Sequence, residues 1–180
     1  MNGVGLGLCA RHSIIQGNGV VDLEKGEKYV HYYFVVIRKH SLAWNRYCSM
    51  DYMVLSALAA VNVPRIVISY DIGCQWSKNL RERISKYNDD LLELPEDTHL
   101  EIGIPSWHVN GHGSYCRNNY SLNYLPGVGR TCGEDVEISW SQTNSLAPST
   151  REMGSGARQE TLNDHWDGWN LRKIIGFRKI

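Results

Sequence analysis

Cysteine and histidine residues at two places in the sequence have spacings that suit a metal ion. Cys9 and His12 form a Cys-x₂-His pair, and His108, His112 and Cys116 form a His-x₃-His-x₃-Cys run. His108 and His112 are four residues apart and would project from one face of a helix. Two such ligands, completed by two more, can hold a tetrahedral zinc ion. The spacing therefore predicts a structural Zn²⁺ that joins the N-terminal segment to a later helix.

A packing interpretation of the same residues stays open. Gly111 and Gly113 weaken the helix that would present the two histidines. A free cysteine is often buried as a small hydrophobic side chain. The remaining thiols are interpreted as packing or surface groups: Cys48, Cys74 and Cys132.

Asp71 ends a short segment with a β-branched apolar run, residues 65–71, that predicts a buried strand. Apolar residues at helical spacing over residues 75–87 predict an amphipathic helix directly after it. Open sheets carry their chemistry at the carboxyl ends of strands, so Asp71 is a candidate catalytic carboxylate. The alternative is a turn or helix-capping role.

The elements around Asp71 predict an α/β fold with a helical C-terminal part. A largely buried helix is expected at residues 51–61, and residues 88–105 are interpreted as a solvated connection. Residues 107–117 can form a helix, 120–130 a loop, and 134–143 and 157–170 two further helices. Glu134 and Glu137 lie in the first turn of the helix predicted at residues 134–143, where acidic residues also complement the helix dipole.

Composition limits the classes of function. The chain of 180 residues has room for one ordinary domain, and its 19 basic and 19 acidic residues give a net charge of zero. Proteins that bind DNA through its phosphates usually carry a basic excess, so the charge gives no support to DNA binding. We expect no transmembrane segment and no signal peptide. The five cysteines are expected to be reduced thiols or metal ligands.

Short blocks of sequence follow one another along nearly the whole chain. They lie at residues 9–12, 21–29, 50–52, 69–76 (Ser-Tyr-Asp-Ile-Gly-Cys-Gln-Trp), 108–116, 127–134, 149–154 and 163–166. One block alone is a weak signal, but the ordered set resembles the transposase domain of the Kyakuja-Dileera-Zisupton (KDZ) family of fungi. The resemblance implies DNA as the partner and the nucleus as the location.

The same resemblance implies an RNase H-like core in which carboxylates hold two divalent ions, typically Mg²⁺. Asp71 matches the second of three catalytic carboxylates. Glu137 is the first choice for the third, because residues 137–141 resemble the Glu-x-x-aromatic-Ser pattern of the related hAT-type transposases. Glu134 is the second choice; the two glutamates share a helix face and both could reach one metal ion.

The sequence also departs from the family pattern. No residue matches the first catalytic aspartate, whose strand would precede the block at residues 9–12, and Cys132 replaces an aspartate before a Gly-Glu pair. Residues 1–180 are therefore predicted to form a single partial domain with an incomplete RNase H-like core and exposed strand edges. Residues 30–46 have no counterpart in the family and are interpreted as an insert or a retained intron.

We expect a catalytically inactive fragment of a DDE-type DNA transposase. The alternative is a domesticated, non-catalytic module that binds DNA or protein. A third interpretation is a metal-dependent nuclease that is completed by a partner chain.

Overall fold

The computed structural model describes residues 3–23, 47–59, 61–87, 92, 94 and 98–177. Helices and short strands alternate along the first part, and helices alone follow residue 104. This mixed content confirms the predicted α/β character and the helical C-terminal part in outline. Residues 30–46, where an insert is predicted, lie outside the described residues. Within the described part, no helix combines the length and the apolarity that a membrane crossing requires.

An N-terminal antiparallel hairpin is formed by β1 (Gly3–Leu8) and β2 (Ile15–Leu23). Glycine alternates with apolar residues along β1, so one face of the strand has almost no side chains. A Cβ atom at Gly5 would lie 2.8 Å from Val21 Cγ1 and 3.4 Å from Met53 Sδ. The glycine face therefore allows the following helix to approach the hairpin closely.

That helix, α1 (Cys48–Leu58), confirms the helix predicted at residues 51–61, although it begins and ends three residues earlier. The predicted strand is also present as β3 (Arg65–Ser69). The single helix predicted at residues 75–87 is wrong. Two short helices replace it, α2 (Gly73–Trp76) and α3 (Leu80–Ile84), because Asn79 between them adopts a left-handed backbone with φ of 55°. Asparagine tolerates that conformation better than most residues.

The predicted solvated connection at residues 88–105 is wrong over its second half. His99–Gly103 forms strand β4, which pairs in parallel with β3 from Arg65 opposite His99 to Ser69 opposite Gly103. Leu100 and Ile102 alternate with polar residues and pack into the core beside α1. Five residues of alternation inside an acidic stretch are too short to stand out in the sequence, and pairing with β3 decides the conformation.

The C-terminal part is helical from the end of β4 onwards. The helices predicted at residues 134–143 and 157–170 are present, the second extended by two residues at its start and seven at its end. The α-helices are α4 (Ser114–Tyr120), α5 (Asp135–Thr143), α6 (Ala147–Arg151) and α7 (Ser155–Phe177). Three short 3₁₀ helices accompany them: His108–Gly111, Leu122–Tyr124 and Asn144–Leu146.

Helix α7 covers the face of the hairpin that α1 leaves open. Leu6 and Ile15 of the hairpin pack against Leu162, Trp166 and Trp169 of α7. This apolar contact connects the two ends of the described chain.

Polar contacts fix the same helix to the edge of β2. The side chain of Asn170 accepts a hydrogen bond from Ile15 N at 2.8 Å and donates one to Ile15 O at 3.0 Å. The indole of Trp169 donates to Ser13 O at 2.7 Å. At Ile15, α7 therefore supplies the partners that a further strand would provide at an exposed edge.

A second core lies between α1 and the parallel strands, and a polar network is buried in it. The carboxylate of Asp51 is 0% exposed. It accepts hydrogen bonds from Trp76 Nε1 and Tyr87 Oη, each at 2.7 Å, and from Arg83 at 2.9 Å. Burial alone would lower the pKa of Arg83, but the Asp51 carboxylate and the nearby tyrosines raise it. The network fixes α2 and α3 against α1, just after the turn that carries Asp71.

Candidate functional site

The carboxyl ends of β3 and β4 form one edge of the parallel pair, and the start of α5 packs against it. Gly133 has a positive φ of 78°. A Cβ atom there would lie 2.6 Å from Ser69 Oγ and 3.5 Å from Pro105 Cα. Only glycine allows this approach without a shift of neighbouring atoms. Gly133 and Ser69 therefore meet at this edge. Glu134 comes directly after Gly133, and Asp71 comes two residues after Ser69, so both carboxylates belong to the same edge.

Asp71 lies in the turn between β3 and α2 and is partly buried. Its Oδ1 atom accepts a hydrogen bond from the Ile72 backbone N–H at 2.8 Å. The bond is local to the turn and reaches the next residue, not the backbone two residues on that an Asx-turn uses. Ile72, rather than Asp71, occupies the position before the first residue of α2.

The two candidate glutamates have different surroundings. Glu134 Oε1 accepts from the Trp107 backbone N–H at 2.9 Å, and its Oε2 lies 3.1 Å from His108 Nδ1. Glu137, one turn later on α5, is exposed. Glu134 therefore joins the start of α5 to the segment after β4.

The three candidate carboxylates do not converge in the described structure. Asp71, Glu134 and Glu137 are absent from any group of three ligand atoms within 4.8 Å of one another among the residues described. The structure thus brings Asp71 and Glu134 to one edge without assembling a carboxylate cluster there.

One group of metal-ligand side chains does assemble within the described ranges. It consists of Cys74 on α2, His112 before α4 and Cys116 on α4, whose ligand atoms all lie within 4.8 Å of one another. Cys74 Sγ is 3.6 Å from His112 Nδ1. Burial raises the pKa of the Cys74 thiol, and the neighbouring Cys116 raises it further. Cys74 also packs against Ile104 and Val109, which follow β4.

The other three predicted zinc ligands lie outside this group. Cys9 Sγ is 3.4 Å from His12 Nδ1 in the hairpin turn. The His12 ring contacts Phe177 edge-on, with centroids 5.1 Å apart. His108 pairs with Glu134 instead.

The predicted common helix face of His108 and His112 is also absent. His108 begins a 3₁₀ helix that ends at Gly111, and His112 has an extended backbone with φ of −95° and ψ of 158°. Gly113 then precedes α4. Glycine on both sides of His112 interrupts the helix, so the two imidazoles leave the chain in different directions.

Sequence reasoning missed Cys74 as a member of the group. Its signal was its position three residues after Asp71, in the turn that follows β3. The strand that places it, β4, was interpreted as a connection, so nothing in the sequence brought Cys74 near residues 104–116. His112 and Cys116 were found because their spacing along one chain segment is itself a signal.

The family model described as Kyakuja-Dileera-Zisupton transposase matches residues 43–170, well over half of the chain. This range includes Asp71, Glu134, Glu137 and the Cys74 group, whereas the blocks at residues 9–12 and 21–29 precede it. Neither the curated proteins nor the solved structures yield a match.

Proposed function

Because the chain belongs to the KDZ transposase family, we propose that it is part of a transposase domain that does not cut or join DNA by itself. The position of Asp71 and Glu134 at the carboxyl edge of β3 and β4, inside the range that the family model matches, carries the assignment to a transposase domain. This edge is where sheets of this kind carry their chemistry. The proposed inactivity is supported by the contacts that these two carboxylates already make.

The described elements are compatible with the α/β arrangement of an RNase H-like core. A parallel strand pair is connected through α2 and α3, and an antiparallel hairpin packs against α1, with Val21 in the same apolar core as the parallel pair. In this proposal, the parallel pair supports the catalytic edge. Membership of a transposase family suggests that the protein acts on DNA and that it does so in the nucleus. The partner and the location are both part of the proposal.

Contacts at the catalytic edge support the proposed inactivity. Mg²⁺ demands near-octahedral oxygen coordination and usually takes one or two carboxylates. In the described residues, Asp71 Oδ1 accepts from Ile72, and both oxygens of Glu134 face donors of Trp107 and His108. Glu137 joins neither of them in a ligand cluster there. In this arrangement the three carboxylates form no ready-made ligand group for divalent ions among the described residues, and we derive no catalytic step through Mg²⁺.

A strand-cleavage assay tests the proposal. The full chain is incubated with labelled duplex DNA and Mg²⁺ or Mn²⁺, and nicked and joined products are separated on denaturing gels. We expect the same background from the wild type and from Asp71→Asn. Metal-dependent cleavage that Asp71→Asn removes would overturn the proposed inactivity.

A non-catalytic binding role is the second candidate, and exposed aromatic side chains favour it. Trp107 is 73% exposed, and Tyr115 and Tyr124 are each 70% exposed. Exposed aromatic residues are enriched at protein interfaces and can stack on unpaired bases. Trp107 follows β4 at the same edge as Glu134.

Fluorescence anisotropy with labelled single-stranded and duplex DNA tests the DNA form of this second candidate. If Trp107 stacks on bases, single-stranded DNA binds and Trp107→Ala weakens it several-fold, whereas Trp140→Phe on α5 does not. Binding that Trp107→Ala leaves unchanged, or no binding at 50 mM salt, would exclude DNA stacking by this residue.

A further inference from the structure

We propose that Cys74, His112 and Cys116 bind one Zn²⁺ ion, which clamps the turn after β3 to the segment after β4. The three side chains come from two stretches of chain that are distant in sequence and leave the same edge of the parallel pair. The inference concerns metal content and thiol chemistry, so it stands or fails independently of any activity on DNA.

The geometry of the group agrees with tetrahedral zinc. Zinc–sulfur bonds of about 2.3 Å and zinc–nitrogen bonds of about 2.0–2.1 Å place a sulfur and a nitrogen ligand about 3.6 Å apart in a tetrahedral site. The distance from Cys74 Sγ to His112 Nδ1 is 3.6 Å. The third donor, Cys116 Sγ, lies within 4.8 Å of both atoms.

The chemistry of the donors favours the same metal. Two thiolates and an imidazole suit zinc, whereas magnesium and calcium take oxygen ligands. As each sulfur–zinc bond forms, the cysteine releases its thiol proton to solvent, so binding becomes stronger as the pH rises. A thiol–imidazole hydrogen bond alone would involve Cys74 and His112 but would not require Cys116 beside them.

Solvent reaches two of the three donors. Cys74 is buried, but His112 and Cys116 are both partly exposed. In the described part of the chain, no fourth histidine, cysteine or acidic side chain joins the group. We therefore assign the fourth position to a water molecule.

The position of the ion defines its role. Cys74 lies three residues after Asp71, and its neighbours in the core, Ile104 and Val109, follow β4. A metal ion at Cys74, His112 and Cys116 would hold the Asp71 turn against the base of α4. Zinc therefore orders the edge on which the family's chemistry depends, without taking part in it.

Metal analysis of the purified full chain tests the inference. We expect about one zinc per chain by mass spectrometry, and a loss of at least tenfold in zinc affinity in Cys74→Ser, His112→Ala and Cys116→Ser. Cys132→Ser and Cys9→Ser are matched controls, because neither thiol belongs to the group, and both should retain the metal. Zinc that is absent from the wild type even after Zn²⁺ is added would overturn the proposal. So would zinc that is lost in Cys9→Ser but retained in Cys74→Ser.

Thiol alkylation of the wild type gives a second test that needs no variant to fold. With zinc bound, iodoacetamide should modify the exposed Cys132 and spare Cys74 and Cys116. Removal of the metal with a chelator should then expose Cys116 to alkylation, as read by peptide mass spectrometry. Equal protection of Cys116 with and without chelator would contradict a metal at this site.

Discussion

Arg83 donates from Nε and Nη2 to the two carboxylate oxygens of Asp51, each at 2.9 Å, and it also donates to the Trp76 carbonyl at 2.7 Å. The guanidinium group therefore satisfies a buried carboxylate and, at the same time, the C-terminal end of α2. Such a pair gives little net stability compared with apolar residues, but the loss of one partner leaves an uncompensated buried charge.

Arg83→Met should destabilise the fold by roughly 3–5 kcal/mol, since the buried Asp51 carboxylate would lose its cationic partner and two hydrogen bonds. The midpoint of urea unfolding measures the effect. Lys86→Met is the matched control on the same segment, because Lys86 pairs with Glu82 at an exposed position. That variant should leave the midpoint almost unchanged. Equal shifts in the two variants would show that the Asp51–Arg83 pair is not the structural element described here.

Asn170→Ala should lower the stability by about 1–3 kcal/mol, because both backbone groups of Ile15 lose their partner. The Ile15 amide should also exchange with deuterium at least tenfold faster. Asn163→Ala, on an exposed face of the same helix, is the control and should change neither quantity. If Ile15 exchange stays slow in Asn170→Ala, α7 does not cover the edge of β2.

Glu134→Ala should cost about 1–2 kcal/mol of stability, because the Trp107 N–H and the His108 imidazole lose their acceptor. Glu134→Gln should cost less, since an amide oxygen still accepts from Trp107. Glu137→Ala, three residues later and exposed, should leave the thermal midpoint unchanged. A larger loss in Glu137→Ala than in Glu134→Ala would reverse the structural assignment of the two glutamates.

The contribution of Glu101 to stability should depend on pH. A hydrogen bond from Arg65 is the largest cause and lowers the pKa of Glu101; burial opposes it, and the charges of Arg65 and then His99 add smaller lowering contributions. Because the folded-state pKa is lowered, the stabilisation is fully present above the unfolded-state value of about 4.3. It is lost as the pH falls through the folded-state pKa.

Denaturant unfolding of wild type and Glu101→Gln between pH 7 and pH 3 measures this dependence. The wild type should be the more stable protein at pH 7, and the difference should shrink towards pH 3. In an Arg65→Met background, Glu101→Gln should have a smaller effect that varies less with pH. A difference that grows on acidification would contradict the assigned direction of the pKa shift.

The sequence predicted the elements whose local pattern is long or strongly apolar. Helix α1, strand β3 and helices α5 and α7 were recognised from periodicity and β-branched runs, with boundaries displaced by up to three residues except at the end of α7, which extends seven residues further. Strand β4 was missed because its conformation depends on β3, which lies far away in sequence.

The candidate site shows the same division between local and non-local information. The four-residue spacing of His112 and Cys116 was enough to identify two members of the metal-ligand group from the sequence. In the structure, α4 begins between them. Cys74 lies near His112 and Cys116 because β3 and β4 pair in parallel, and no local sequence pattern predicted that pairing. The helix break at Asn79 could not be predicted from the local pattern either. It is tied to a contact between residues distant in sequence, the pairing of Arg83 with Asp51 across the core.

The initial rate of Mg²⁺-dependent DNA strand cleavage by the full chain tests the central claim most directly. Wild type, Asp71→Asn and the control Asp164→Asn, on an exposed face of α7, are compared at equal concentration. The account predicts three equal rates at the level of a protein-free sample. A wild-type rate clearly above that level, retained by Asp164→Asn and abolished by Asp71→Asn, would contradict it and make Asp71 a working catalytic carboxylate.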